Sequence, residues 1–126
     1  MKVNRRVIRN EAELKQLLDE MYQSAKAGRS FYGLTEMLTN EEIIITAMHN
    51  IKSNHGSKTA GLDGKTIDDY LQMDTNALVI LLKSEIDNYN PRPVKRVYIP
   101  KNNIKSANIK DMRPLGIPNM IDRIIQ

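Results

Sequence analysis

Residues 93–118 read PVKRVYIPKNNIKSANIKDMRPLGIP, and this segment differs from the rest of the chain in its prolines and its strand-forming side chains. Valine, tyrosine and isoleucine favour strands, so Pro93 to Ile99 is predicted to be a strand that the next proline ends. The alternation along this strand places Lys95, Val97 and Ile99 on one face.

A second strand is predicted from Met112 to Ile117, where Pro114 indicates an edge position. The polar residues Lys101 to Asp111 separate the two strands, so the pair is predicted to be a hairpin with a polar tip. Asn119 is the predicted cap of a helix that runs into Gln126 without a stop signal. We therefore expect this sequence to be a fragment of a longer protein.

Residues 1–90 contain no proline, which permits long helices in that part of the chain. Apolar side chains recur there at the spacing of amphipathic helices, and short polar residues stand where caps are needed. The pattern predicts helices from Glu11 to Ala27, from a cap at Thr39 or Asn40 to before Asn54, from Thr66 to Leu71, and from Asp74 to Asn90. Residues 53–65 are rich in glycine and are predicted to be a loop. The predicted fold is α+β, with a mainly helical N-terminal part followed by a β-hairpin and a truncated helix.

The chain has the length of one ordinary domain, and the absence of cysteine excludes disulfide scaffolds, thiolate metal sites and cysteine nucleophiles. Its net charge of +4 is unevenly distributed. Residues 1–90 carry 11 basic and 13 acidic side chains, whereas residues 91–126 carry 8 basic and 2 acidic ones. A concentrated basic segment suits a polyanion such as nucleic acid, although an ordinary solvated surface explains the charge as well.

The first ten residues contain four cations without a counter-charge among them, and no apolar run follows, so a signal peptide is not expected. The apolar runs elsewhere are far shorter than the roughly 20 residues that span a membrane. We therefore expect an intracellular protein, of the bacterial cytoplasm or an organelle, without a membrane partner.

Two short motifs suggest other chemistry but are incomplete. Gly64-Lys65-Thr66 matches the end of a phosphate-binding P-loop, but Thr59 stands where that motif requires glycine. His49 and His55 lack a carboxylate at ligand spacing, so surface histidines are favoured over a metal site. The sequence therefore predicts no catalytic residue and no metal ligand in this chain.

Six cations lie on or between the two predicted strands: Lys95, Arg96, Lys101, Lys105, Lys110 and Arg113. The hairpin is predicted to bring Lys101, at the end of its first strand, near Arg113, at the start of its second. An ammonium and a guanidinium that converge in this way suit phosphate groups. A row of charges that keeps an edge strand from aggregating explains the same residues, so spacing alone leaves both interpretations open.

Four segments together resemble a known family. They are Thr59-Ala-Gly-Leu-Asp-Gly-Lys-Thr66, Pro93-Val-Lys-Arg-Val-Tyr-Ile-Pro-Lys101, Arg113-Pro-Leu-Gly-Ile-Pro118 and Asp122-Arg-Ile-Ile-Gln126. The last three resemble the first sequence block of the group II intron-encoded reverse transcriptases, also called maturases. The first resembles the Gly-x-Asp-Gly loop that joins their N-terminal extension to the fingers.

This resemblance implies an RNA-directed DNA polymerase with fingers, palm and thumb, in which palm aspartates hold two Mg²⁺ ions. It implies a helical N-terminal extension with the glycine-rich loop over residues 1–65, and a fingers subdomain, truncated before the palm, over residues 66–126. The Tyr-Ala-Asp-Asp sequence of the palm is absent here, so this chain is expected to be inactive alone. The alternative is a stand-alone RNA-binding module that acts in splicing without a polymerase.

The resemblance also implies binding residues. By motif position, Lys101 and Arg113 hold the triphosphate of the incoming deoxynucleotide. The tip between them departs from the family, because it is long and contains no glycine. Contacts to intron RNA and to the RNA template and primer are expected at Arg5, Arg6, Arg9, Lys58, Lys65, Lys95 and Arg96.

Overall fold

The computed structural model describes residues 1–3, 6–101 and 108–126. Within these ranges the chain forms six α-helices and one antiparallel pair of strands. The helices are α1 (Glu11–Lys26), α2 (Leu34–Met37), α3 (Glu41–Lys52), α4 (Ile67–Leu71), α5 (Thr75–Asp87) and α6 (Met120–Ile125), and the strands are β1 (Lys95–Pro100) and β2 (Met112–Ile117). The predicted α+β class is confirmed, with the hairpin following the mainly helical part and a short helix after it.

Short polar side chains start the long helices. The Oδ1 atom of Asn10 accepts a hydrogen bond from the Glu13 N–H at 2.9 Å at the start of α1. The Oδ1 atom of Asn40 accepts one from the Glu42 N–H at 3.0 Å, so Asn40 and not Thr39 caps α3. Each cap satisfies an N–H group that has no partner within its helix. The remaining predicted caps also precede their helices: Thr66 before α4, Asp74 before α5 and Asn119 before α6.

The glycine-rich segment 53–65, predicted to be a loop, contains one 3₁₀ turn at His55–Lys58. After this turn the backbone of Gly61 passes very close to Asn119. A Cβ atom on Gly61 would lie 2.5 Å from Oδ1 and 2.8 Å from both N and Cα of Asn119. Only a residue without a Cβ atom lets the loop approach the start of α6 so closely.

The main core is built by helices α3 to α6, which bury one apolar face each. Its buried side chains are Ile44, Met48, Ile67, Tyr70, Leu78, Leu82, Met120, Ile121 and Ile124. The apolar repeat predicted for the last helix is thus a core-facing stripe, and α6 is held by contacts with the rest of the chain.

A second, smaller core lies around α1. Its buried side chains are Val3, Ile8, Leu14, Leu17 and Met37. Helix α3 contacts both cores, because Ile43 packs against the second and Ile44 lies in the first. The predicted division into residues 1–65 and 66–126 stays a prediction, and α3 packs with helices from beyond that boundary.

The hairpin has a regular register in which Lys95 pairs with Ile117 and Ile99 pairs with Arg113. Val97 and Ile99 are half-buried while the residues between and before them are exposed, as the alternation along β1 predicts. None of the helices in the described part of the chain is long and apolar enough to cross a membrane.

Candidate phosphate-binding hairpin

The register of the hairpin places the two predicted triphosphate ligands on one face. Arg113 lies opposite Ile99, and the Lys101 N–H donates to the carbonyl oxygen of Asp111 at 2.9 Å, which continues the ladder by one pair. Directly paired residues share a face and side chains alternate along each strand, so Lys101 and Arg113 are diagonal neighbours. Such neighbours lie about 7–8 Å apart. The predicted proximity of this lysine and this arginine is confirmed.

Both cations are available to an anionic ligand. Lys101 and Arg113 are exposed, and within the described ranges neither forms an ion pair. Asp111, half-buried and paired with Lys101, is an acidic neighbour at this end of the hairpin. The predicted tip lies mostly at residues 102–107, outside the described residues, as does Lys105; the described part of it ends in the 3₁₀ turn Ile109–Asp111.

The other two predicted strand cations lie on opposite faces. Lys95 lies on the same face of β1 as Val97 and Ile99, because side chains alternate along a strand. Ile99 pairs with Arg113, so Lys95 shares the face of that arginine. Arg96 lies on the second face, opposite Gly116. Both side chains are exposed. The hairpin therefore carries positive charge on each of its faces.

Two of the N-terminal cations lie near acidic side chains of α1. Arg6 forms an ion pair with Glu20 of α1, so the counter-charge of this arginine comes from outside the first ten residues. The backbone N–H of Arg9 donates to Oε2 of Glu13 at 2.7 Å, which places a carboxylate near that residue as well. Acidic side chains of α1 thus reach the N-terminal segment. Arg5 lies outside the described residues.

The two loop lysines are exposed on either side of Gly61. Lys58 ends the 3₁₀ turn, and the Lys65 ammonium lies 5.9 Å from the centroid of the Tyr70 ring. In residues 6–101 and 108–126, no hydrogen bond or ion pair joins either lysine to the hairpin. The structure therefore brings Lys101 and Arg113 together, with Lys95 on the same face at the other end of the hairpin, and leaves Lys58 and Lys65 as separate positive positions.

A cluster that sequence reasoning missed holds the base of the hairpin. The Arg92 guanidinium donates to Oε1 of Glu85 at 2.5 Å and to Oδ1 of Asp122 at 3.2 Å. The Arg92 N–H donates to Oδ2 of the same aspartate at 3.2 Å, and the Tyr89 hydroxyl donates to its Oδ1 at 3.3 Å. The Asp122 residue is 2% exposed. Arg92, in the segment 88–94 between α5 and β1, therefore links Glu85 of α5 to the buried carboxylate of Asp122 in α6.

The charges of this cluster shift two pKa values. The hydrogen bond from Arg92 to Glu85 raises the pKa of the arginine above its usual range. Burial, and then the negative charge of Asp122, raise the pKa of the Tyr89 hydroxyl. The sequence carried one signal for this cluster, which is the placement of Arg92 between Pro91 and Pro93. A residue before proline is kept extended, so Arg92 lies outside a helix.

A second missed contact fixes the glycine-rich loop. The Nη1 atom of Arg123 donates to the carbonyl oxygen of Gly56 at 2.8 Å. Two of the eight cations of residues 91–126, Arg92 and Arg123, thus serve the structure. The described ranges contain no group of three or more histidine, aspartate or glutamate side chains that would hold a metal ion.

The amino-acid sequence of the chain is similar to those of known proteins. No family model matches it. Over 96 residues it is 36% identical to the group II intron-encoded protein LtrA of Lactococcus lactis subsp. cremoris. The chain is related to the group II intron-encoded proteins. The predicted resemblance to group II intron reverse transcriptases and maturases is thereby confirmed.

The match covers most of this chain but a small part of its relatives. It includes 76% of the chain and 15% of LtrA, with the same values for LtrA of strain MG1363. Protein YkfC of Escherichia coli strain K12 is 38% identical over 97 residues, which is 74% of the chain and 23% of that protein. The matched segment thus spans less than a quarter of the length of these relatives.

Proposed function

We propose that this chain is the fingers part of an RNA-directed DNA polymerase of the group II intron type. In this role it binds RNA template, intron RNA and the incoming deoxynucleotide triphosphate. One observation carries the proposal: Lys101 and Arg113 lie as diagonal neighbours on one face of the hairpin, exposed and without an ion pair in the described part of the chain. The relationship to LtrA, an intron-encoded protein, supports it.

The two side chains suit different phosphates of a triphosphate. The Arg113 guanidinium offers two parallel N–H donors to the oxygens of one phosphate, whereas the Lys101 ammonium acts as a compact charge on another. The negative charge on the phosphates grows where pyrophosphate leaves, so cations placed there lower the energy of the transition state. The hydrogen bonds from Arg92 to Asp122 attach the base of this hairpin to α6.

Catalysis itself is proposed for another part of a longer protein. The Tyr-Ala-Asp-Asp sequence is absent from these residues, and their described acidic side chains do not converge on a metal site. We therefore assign the Mg²⁺ ions to palm aspartates outside this sequence. This chain contributes charge and position to the nucleotide, and exposed cations such as Lys58, Lys65, Lys95 and Arg96 to RNA phosphates.

The test is primer extension on an RNA template with the full-length protein and with the isolated 126-residue chain. We expect templated extension by the full-length protein, and none by the isolated chain although it binds RNA. Extension by the isolated chain would contradict the proposal, because it would place the catalytic residues within it. RNA binding without extension by the full-length protein would favour the stand-alone splicing module.

A further inference from the structure

The second face of the hairpin combines an arginine with an exposed aromatic ring. Arg96 pairs with Gly116, which has no side chain, and Tyr98 pairs with Pro114, whose side chain is compact. Tyr98 is 46% exposed. This face is distinct from that of Lys101 and Arg113, since side chains alternate along the strand.

Tyr98 differs from the exposed tyrosines Tyr22 and Tyr89 in its surroundings. The Tyr22 ring is approached by the Lys26 ammonium at 5.9 Å, and the Tyr89 hydroxyl donates to Asp122. Across the described ranges, neither the Tyr98 hydroxyl nor the Arg96 guanidinium has a hydrogen bond or an ion pair. The exposed Tyr98 ring and the Arg96 guanidinium, which has no ion pair in the described residues, therefore lie on the same face of the hairpin.

The spacing on this face suits a nucleotide chain. Arg96 and Tyr98 are two positions apart on β1, so their Cα atoms lie about 6.6 Å apart. Residues 95–117 contain six basic side chains and one acidic side chain, which attracts a polyanion. Flat aromatic rings beside cations bind single strands, because every base offers a face for stacking.

We propose that Tyr98 stacks on a base of single-stranded RNA and that Arg96 binds a neighbouring phosphate. This inference rests on the proposed function, which makes RNA the partner of this chain. It adds a second binding face, separate from the one that holds the triphosphate. The hairpin then binds RNA on one side and nucleotide on the other.

The experiment measures binding of the full-length protein to single-stranded RNA that contains 2-aminopurine, a fluorescent base that stacking quenches. Tyr98→Ala is expected to weaken binding about 5- to 150-fold and to abolish the quenching. Tyr98→Phe keeps the ring and should bind like the parent protein, whereas Tyr98→Leu keeps an apolar side chain without a ring and should lose the quenching. Arg96→Ala should reduce the slope of log affinity against log salt by about 0.7.

Tyr32, which is 64% exposed and lies outside the hairpin, provides the matched control. Tyr32→Ala should leave both affinity and quenching unchanged. Normal quenching by Tyr98→Leu would overturn the stacking, as would a loss in Tyr98→Phe equal to that in Tyr98→Ala. These outcomes are separate from the proposed polymerase, because primer extension by the parent protein tests that function without reference to Tyr98.

Discussion

Arg92 and Asp122 are joined by two hydrogen bonds, one from the guanidinium and one from the backbone N–H, each 3.2 Å long. The arginine precedes β1 and the aspartate lies in α6, so the contact joins the segment before the hairpin to the helix after it. Because the Asp122 side chain is almost fully buried, its oxygens depend on these donors and on the Tyr89 hydroxyl. The base of the hairpin is thus fixed by a polar contact between segments that are distant in sequence.

Removal of this carboxylate should destabilise the fold. Asp122→Ala leaves the donors of Arg92 and Tyr89 without their shared acceptor, and we expect the free energy of unfolding to fall by about 2–3 kcal/mol. Urea denaturation of the 126-residue chain measures this change. Asp19→Ala, which removes an exposed carboxylate of α1, is the control and should shift the value by less than about 0.5 kcal/mol. Equal effects of the two substitutions would show that the hydrogen bonds of Asp122 do not contribute to stability.

A methyl group at Gly61 should also be costly. The Cβ atom of Gly61→Ala meets backbone atoms of Asn119 at 2.8 Å, and these cannot move without displacing α6. We expect a loss of about 1–3 kcal/mol in the same urea experiment. Gly56→Ala is the matched control, since its Cβ atom lies no closer than 3.4 Å to the flexible Arg123 side chain. A neutral Gly61→Ala would mean that the loop stands farther from α6 in solution.

The N-terminal arginines should differ in their contribution to RNA binding. Arg9→Ala should reduce the slope of log affinity against log salt by roughly 0.7, the value for one phosphate contact on a single strand. Arg6→Ala should change it less, because Glu20 already balances that charge. The measurement is RNA titration at several salt concentrations, with Lys83→Ala on α5 as the control. An unchanged slope for Arg9→Ala would move the RNA surface away from this segment.

The two hairpin cations should act on nucleotide kinetics in different ways. In the full-length protein, Arg113→Ala is expected to raise KM and lower kcat, because its forked donors follow the charge that develops on the leaving phosphates. Lys101→Ala should act mainly on KM, and Arg113→Lys should restore activity only in part, since the bidentate geometry is lost. The assay is single-nucleotide incorporation as a function of nucleotide concentration.

Template affinity, measured separately, should stay near that of the parent protein in these variants. Arg29→Ala removes an exposed arginine outside the hairpin and is the matched control for Arg113→Ala. If Arg113→Ala weakened template binding and left nucleotide kinetics unchanged, the hairpin cations would belong to the RNA backbone instead.

Local sequence signals predicted the long helices, the hairpin and the proximity of its two cations. Two short strands separated by a polar segment predict a hairpin, and so the proximity of Lys101 to Arg113 was predictable. Where two caps competed, at Thr39 and Asn40, the sequence left the choice open and the backbone geometry decided it. The relationship to the group II intron-encoded proteins was also accessible, because its motifs are continuous segments.

The sequence by itself determined the helices, the hairpin and the excess of positive charge in residues 91–126, because caps, periodicity and composition act between near neighbours. Only the tertiary structure decided which charges remain available. Arg6 is paired with Glu20, and Arg92 is bound to Asp122, because segments outside the helices dock against helices from other parts of the chain. The same docking brings Gly61 onto Asn119. Such contacts depend on how apolar faces pack, and no local pattern of residues encodes the partner that a side chain meets across a core.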